Sequence, residues 1–449
     1  MTTLDPDVRA VLDGIAAGGY DTGSIDRAQT DDERRADIDS DPLFQRASSG
    51  LSSREDREIP GPHGPVPVRV YTPSGRGVRP VVAYFHGGGF HSGTLDMYDA
   101  TCTDLAVGSG AIIVSVDYRL APEHTFPVPL EDCYAVTEWL AKNAQEIGGD
   151  GTRLAVAGGS AGGNLAGAVA LMARDRGGPD LSHQVLLFPA AGHDPELPSM
   201  TEFAEGYWLT TDTCQYCWET YIPNEEDRHH PYASLIDAPD LTGLPPALVI
   251  TAECDPLRDV GEAYAARLAE AGVATRLSRY FGQIHGFTLM AGEIRRGKEA
   301  LAEVAGSLAH HLASPLSIPA QVDLAEVREV MRAYFEDHLA SHDLDAADSF
   351  HGENYLWHAP SGRTLNAEET SDFVRYLYRT HRDMTVDLHE VVADGDIGVA
   401  RFTMTGIQTE RWAGMEPTGQ KRVMRGQIMC RIADATMVEA WELIVQDLV

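Results

Sequence analysis

The chain has 449 residues, of which 43% are hydrophobic and 23% charged. That is enough for two domains, perhaps a third, and excludes a disordered or collagen-like chain. Asp and Glu outnumber Lys and Arg by 68 to 35, giving a net charge of −33. That sign argues against nucleic acid and anionic membrane surfaces as partners and suits a soluble protein acting on small molecules. The stretch from Met1 to Ala10 has neither the basic nor the apolar segment of a signal peptide, and no apolar run is long enough to span a membrane. The expected location is the cytoplasm. Six cysteines are too few for a disulfide scaffold. Cys214 and Cys217 form a CxxC that no second pair or histidine cluster completes, so thiols are expected there and no metal.

In chain order, the first 50 residues are polar and acidic, with helix-like stretches near Asp7–Ala17 and Asp31–Asp37. From about residue 66 short apolar runs alternate with longer helical segments. The runs Val81–Phe85, Ile112–Val116, Leu154–Ala157, Val185–Phe188 and Ala247–Thr251 read as buried parallel strands. Between and after them, Glu131–Glu146, Gly162–Arg174, Pro256–Ala271 and Glu293–Leu312 read as helices. The alternation predicts an α/β, doubly wound sheet. Residues from about Gly192 to Pro239 break the rhythm, and an insertion of that length is expected to form a lid or cap.

A Pro- and Ser-rich linker over 315–320 ends this region. Apolar residues at helical spacing from Val327 to Leu339 then mark an amphipathic helix. Strands follow at Met384–Ala393 and Asp396–Gln408, separated by the hairpin signal Asp394-Gly395, and at Val423–Ala433 and Met437–Val445. Helices first and antiparallel strands after predict an α+β domain over 321–449.

The chemistry sits in the first region. Gly158-Gly159-Ser160-Ala161-Gly162 fits G-x-S-x-G between a predicted strand and a predicted helix, the setting of a nucleophile elbow. His86-Gly87-Gly88-Gly89-Phe90 follows the strand Val81–Phe85. Consecutive glycines there let backbone N–H groups point at a developing oxyanion. An acid and a base should follow the serine in the order Ser, Asp or Glu, His. Asp255 and His285 do so, just past the predicted strands Ala247–Thr251 and Thr275–Tyr280, where open α/β sheets place their sites.

HGGGF, Asp117 to Pro127 (DYRLAPEHTFP), GGSAGGN, DPLRD and HGF together resemble the hormone-sensitive-lipase-like branch of the α/β-hydrolases, over residues 1–314. The resemblance implies a cofactor-free, metal-free esterase for short to medium acyl chains, acting on a small-molecule ester. It implies Ser160 as nucleophile, His285 as base and then acid, and Asp255 as the residue orienting His285. Gly88, Gly89 and Ala161 would give the oxyanion N–H groups. It also implies a helical cap built from 1–50 and about 192–239. Phe90, Phe203, Tyr207, Trp208 and Trp218 are candidates to line the substrate pocket, the alternative for the cap aromatics being stacking within the cap. One departure stands out: this branch usually has Asp before the nucleophile, and here it is Gly159.

Residues 321–449 resemble the SnoaL-like members of the nuclear-transport-factor-2-like superfamily, cone-shaped α+β domains. The resemblance rests on the opening helix, Trp357-His358-Ala359-Pro360, Asp394-Gly395-Asp396, Gly414 to Gly419, and Glu439-Ala440-Trp441. Strand alternation puts Glu439 and Trp441 on one face, and with His358 they could line a pocket or be satisfied core groups. Val445 and Gly406-Ile407-Gln408 replace titratable groups of the family's cyclases. The expected role is therefore accessory, as homo-oligomerisation or substrate gating. A bifunctional tailoring enzyme with a cyclase- or isomerase-like second domain is the alternative.

Overall fold

The computed structural model describes the chain except residues 1–3, 18–32, 34–41, 45, 76, 314–323, 343–346, 359–363, 395–396, 412–415, 418, 434 and 449. The predicted helix at Asp31–Asp37, apart from Glu33, and the linker at 315–320 lie outside the described residues. Two compact units emerge, Met1–Ser314 and Pro315–Val449.

The first unit holds β1 (Leu51–Ile59), β2 (Val66–Pro73), β3 (Arg79–Phe85), β4 (Ile112–Val116), β5 (Gly149–Gly159), β6 (His183–Leu187), β7 (Ala247–Cys254) and β8 (Thr275–Ile284). They form one sheet in the order β1-β2-β4-β3-β5-β6-β7-β8. From β4 to β8 the pairs are parallel, while β1–β2 and β2–β4 are antiparallel. The apolar runs are buried on both faces, as parallel strands must be. Val81, Ala83 and Phe85 of β3 join one core cluster, and Val82 and Tyr84 join the other.

The helices are α1 (Pro6–Ala17), α2 (Asp99–Ser109), α3 (Val128–Asn143), α4 (Ala161–Asp175), the short α5 (Pro198–Glu202), α6 (Thr211–Tyr221), α7 (Arg258–Glu270) and α8 (Arg295–Leu312). α1, α2 and α8 contribute to one cluster and α3, α4 and α7 to the other, so the sheet is covered on both sides. The interval expected to lack strands, about 192–239, holds α5, α6 and two 3₁₀ turns.

The second unit opens with α9 (Leu324–Ala333), which runs into a π-helical turn over Tyr334–Ala340. Then come α10 (Ala347–Phe350), β9 (His351–His358), β10 (Thr364–Asn366) and α11 (Ala367–Thr380). Asn366 and Glu369 form a capping box that fixes the start of α11. The long strands β11 (His381–Asp394), β12 (Ile397–Gln408), β13 (Lys421–Ala433) and β14 (Thr436–Leu448) complete a sheet ordered β10-β9-β14-β13-β12-β11. Only β14–β9 is parallel among its pairs. Val327, Met331 and Phe335 bury one face of this sheet together with Ala400, Phe402 and Cys430. Among the described residues no helix is long and apolar enough to cross a membrane.

Candidate active site

Ser160 follows β5 and caps the start of α4, with φ 58° and ψ −119°. A non-glycine residue in that region is strained, and the neighbours show what holds it. The Ser160 N–H donates to the Leu187 carbonyl at 2.8 Å, and its own carbonyl accepts from Asn164 and Ala190. A Cβ on Gly162 would collide with the Phe85 carbonyl, and one on Gly158 with the Gly162 carbonyl. The glycines of the motif are therefore required by the close passage of α4 over β3 and β5. Asn164, fully buried, donates to the Ala190 and Ala233 carbonyls and ties the elbow to the inserted segment.

Asp255 follows β7 and His285 follows β8, so both stand with Ser160 at the C-terminal edge of the sheet. Nδ1 of His285 lies 2.8 Å from Oδ2 of Asp255, and Nε2 lies 2.9 Å from Oγ of Ser160. The second oxygen of Asp255 accepts the Leu257 N–H at 2.9 Å. An ionised carboxylate only accepts, so the imidazole hydrogen belongs on Nδ1 and Nε2 is left as an acceptor for the serine hydroxyl. The structure thus brings together the three residues that motif, chain order and position past predicted strands had singled out.

The glycine loop runs against the elbow: a Cβ on Gly87 would stand 3.3 Å from Cβ of Ser160. Nδ1 of His86 bonds the Gly87 carbonyl at 2.8 Å, and the Gly88 carbonyl accepts the N–H groups of His91 and Ser92. In a trans peptide the N–H points opposite to the carbonyl of the same unit. Both carbonyls are bound within the loop, so the N–H groups of Gly88 and Gly89 point the other way. The Ala161 N–H lies in the first turn of α4, where the helix dipole favours negative charge.

Tyr118 and Tyr98 support this loop, and the sequence reading gave neither a role. The Tyr118 ring stacks on His86 at 4.3 Å and its hydroxyl donates to the His86 carbonyl. Tyr98 takes a hydrogen bond from the Gly87 backbone, and burial keeps its phenol protonated. The signal for Tyr118 was its place in the DYRLAPEHTFP run. Arg119 of that run pairs at 2.6 Å with Asp132, which is fully buried.

The candidate pocket aromatics divide. Phe90 and Trp218 are buried in the core, with Phe90 stacked on Tyr221 at 3.9 Å. Phe203 is buried too, with Arg258 over its ring and Tyr207 edge-on at 5.1 Å. Tyr207 and Trp208 are half-exposed. Phe44, from the N-terminal segment, meets Trp208 edge-on at 5.9 Å. All six cysteines are buried and none is in a disulfide, and burial holds the Cys214 thiol protonated. Among the described residues no cluster of three or more potential ligands could hold a metal ion.

In the second unit the structure brings His358, Glu439 and Trp441 together on one face of the sheet. Nε2 of His358 lies 2.9 Å from Glu439, its Nδ1 lies 3.1 Å from Thr364, and its ring stacks on Trp441 at 5.3 Å. The neighbouring row across the sheet, Trp357, Ala440, Cys430 and Gly398, is buried, with Met331 of α9 against Gly398 and Phe373 of α11 against Trp357. Strand alternation therefore turns His358, Glu439 and Trp441 to the opposite, outward face. The shared face of Glu439 and Trp441 was legible in the sequence, but not which face the helices cover. The side chain of Val445 lies outside the described residues.

Elbow, glycine loop and Ser-His-Asp geometry define a serine hydrolase on an α/β sheet. A family model described as alpha/beta hydrolase fold matches residues 82–289, and one described as SnoaL-like domain matches 331–440. The chain is 46% identical over 239 residues to carboxylesterase NlhH of Mycobacterium tuberculosis, covering 52% of this chain and 75% of that one. It is 34% identical over 322 residues to ethyl acetate hydrolase of Pseudomonas putida, covering 69% of this chain and 100% of that one. Among solved structures it superposes on a hyperthermophilic esterase from the archaeon Pyrobaculum calidifontis with TM-score 0.65 and 41% identity, covering 69% of this chain and 98% of the other. The chain belongs to the hormone-sensitive-lipase-like α/β-hydrolase family and is a serine carboxylesterase carrying a C-terminal SnoaL-like domain.

Proposed function

We propose that the chain hydrolyses short to medium acyl esters through an acyl-enzyme on Ser160. The observation that carries the reading is the continuous chain of hydrogen bonds from Ser160 Oγ through His285 to Asp255. Ser160 attacks the ester carbonyl while Nε2 of His285 takes its proton. The N–H groups of Gly88, Gly89 and Ala161 receive the oxyanion. His285 returns the proton to the leaving alcohol, then activates a water that releases the acid and restores the serine. Asp255 holds the tautomer and balances the imidazolium. The cap is assigned to the N-terminal segment and residues 192–239, which meet at Phe44 and Trp208. Tyr207 and Trp208, half-exposed where the other candidate aromatics are buried, are assigned to the substrate pocket.

The test is Ser160→Ala assayed on p-nitrophenyl butyrate. Loss on the order of 10⁶ in kcat is expected. Retention of most activity would remove the assignment.

The second domain is assigned an accessory role, joining two copies of the chain through the outward face of its sheet. The support is an outward row across five strands, His358, Trp441, Met429, Val399 and Val392. Met429 and Val392 are 39% and 49% exposed, an unusual density of apolar side chains for a solvated sheet face.

A further inference from the structure

The residue before the nucleophile is Gly159, the one departure from the family pattern in the elbow. A Cβ at this position would stand 3.2 Å from Cε2 and 3.6 Å from Cζ of Phe188. The bare backbone of Gly159 is thus the surface on which the Phe188 ring rests. The other side of that ring environment is His285, whose ring centroid lies 4.9 Å away at an interplanar angle of 65°, with Phe287 beyond at 5.9 Å.

Phe188 follows the last residue of β6 and has φ 35°. That conformation is unfavourable for a bulky side chain and persists only where the surroundings impose it. Here they do so from two directions. The Phe188 N–H donates to the Ile250 carbonyl on β7, the strand that leads to Asp255. The preceding carbonyl, of Leu187, accepts the N–H of Ser160. The Phe188 backbone is therefore anchored to the elements that carry the serine and the aspartate, while its ring faces the histidine.

We infer that Phe188 is a positioning residue for the hydrolysis, fixing the plane of the His285 ring, and that Gly159 is what makes room for it. The inference rests on the Ser160–His285–Asp255 reading above. The torsion that turns an imidazole is broad and only weakly staggered, so the covalent geometry of His285 does not set its plane. In the free enzyme two hydrogen bonds set it. Once Ser160 is acylated the bond from Nε2 to Oγ is gone, and Nε2 must still face the incoming water. Then only the bond to Asp255 and the packing of the ring remain, and Phe188 supplies that packing in an edge-type contact that favours one relative orientation. It also covers a side of the imidazole that water would otherwise reach.

The experiment compares Phe188→Leu, Phe188→Tyr and Gly159→Ala with the parent chain on p-nitrophenyl butyrate, with active sites titrated by a fluorophosphonate. Leu keeps the side chain apolar and of similar bulk but lacks a planar ring. The expected result is about a tenfold loss of kcat per titrated site in Phe188→Leu, with KM within about threefold, and recovery of kcat in Phe188→Tyr. Gly159→Ala pushes the ring without altering it and should lower kcat in the same sense. The double variant Gly159→Ala/Phe188→Leu should lose no more than the worse single one, because both act through one contact. An unchanged kcat with an altered KM in Phe188→Leu would make Phe188 a substrate contact and overturn the inference. If Phe188→Leu fails to fold, Gly159→Ala decides: unchanged kcat in a folded Gly159→Ala overturns it. Ser160→Ala is run alongside. If that variant stays active the serine reading itself fails, whereas a dead Ser160→Ala beside a fully active Phe188→Leu removes only the present inference.

Discussion

The hydrogen bond between Nδ1 of His285 and Oδ2 of Asp255, 2.8 Å long, is shut away from solvent, with the aspartate side chain fully buried and the histidine side chain 8% exposed. Its partner oxygen is held by the Leu257 N–H, so the carboxylate has a fixed orientation before any substrate arrives. Asp255→Asn would keep the shape but present an amide that can donate to Nδ1, favouring the wrong tautomer. The expected result is a loss of about 10⁴ in kcat with the fold intact, measured by steady-state kinetics beside circular dichroism. A loss below about tenfold would mean that the aspartate does not set the tautomer.

The elbow makes a stability prediction independent of catalysis. Gly162 passes so close to Phe85 that a methyl group would collide with a backbone carbonyl, which cannot rotate away as a flexible side chain could. Gly162→Ala should therefore destabilise the first unit by about 1–3 kcal/mol or more, and lower its melting temperature. Gly177→Ala serves as the comparison. It has open space around the added methyl, so its cost comes from its left-handed φ of 59° alone and should be smaller.

A buried histidine far from the serine predicts the acid behaviour of the fold. Nδ1 of His183 bonds the Pro246 carbonyl and Nε2 bonds Oγ of Ser307, and the ring stacks on His311 at 3.9 Å. A carbonyl only accepts, so Nδ1 carries a hydrogen, and the Ser307 hydroxyl can donate to Nε2 of a neutral ring. Burial first, and then the neighbouring His311, lower its pKa from 6.5 to about 3. Above the unfolded value both states are neutral and the residue adds no pH dependence. Between that value and about 3 the unfolded chain binds a proton that the native chain refuses, so stability falls as the pH drops. The urea midpoint of the parent should decrease from pH 7 to pH 5. In His183→Asn, which does not titrate, the midpoint should start lower and fall less steeply. Parallel slopes in the two proteins would show that His183 is not the group responsible.

Most of the first unit was legible because its central strands are buried on both faces and therefore appear as unbroken apolar runs. Leu51–Ile59 was not, because it is an edge strand whose residues are almost all half-exposed or exposed, and Arg, Glu and Asp fill it. The grouping of Ser160, Asp255 and His285 was legible because a parallel sheet places the ends of its strands together whatever the sequence separation, so motif, chain order and position past predicted strands pointed to it. Phe188 was read as the end of a strand. The strand stops at Leu187, and a phenylalanine in left-handed backbone leaves no mark in the sequence, since its cause is the anchoring by Ser160 and Ile250. In the second unit the Asp-Gly signal located the β11–β12 hairpin. The facing of β9 and β14 needed the register, because Trp357 and Trp441 are equally apolar and only one of them is under a helix.

That outward face gives the last prediction. Met429 lies in the middle of the row, between Trp441 on β14 and Val399 on β12, and it is already 39% exposed. Replacing it with lysine adds a charge where the single chain tolerates one, since the side chain points to solvent. In a pair of copies joined face to face the same charge would be buried opposite its symmetry mate, at a cost of several kcal/mol. Met429→Lys should therefore halve the mass seen by light scattering without lowering the melting temperature by more than a few degrees. His358 ends the row and Glu439, which it contacts at 2.9 Å, lies beside it, with Arg431 3.8 Å from the same carboxylate. These polar groups are paired within one copy, so they can border an apolar contact without needing partners from the second. If Met429→Lys and the parent have the same mass, this face does not join copies of the chain.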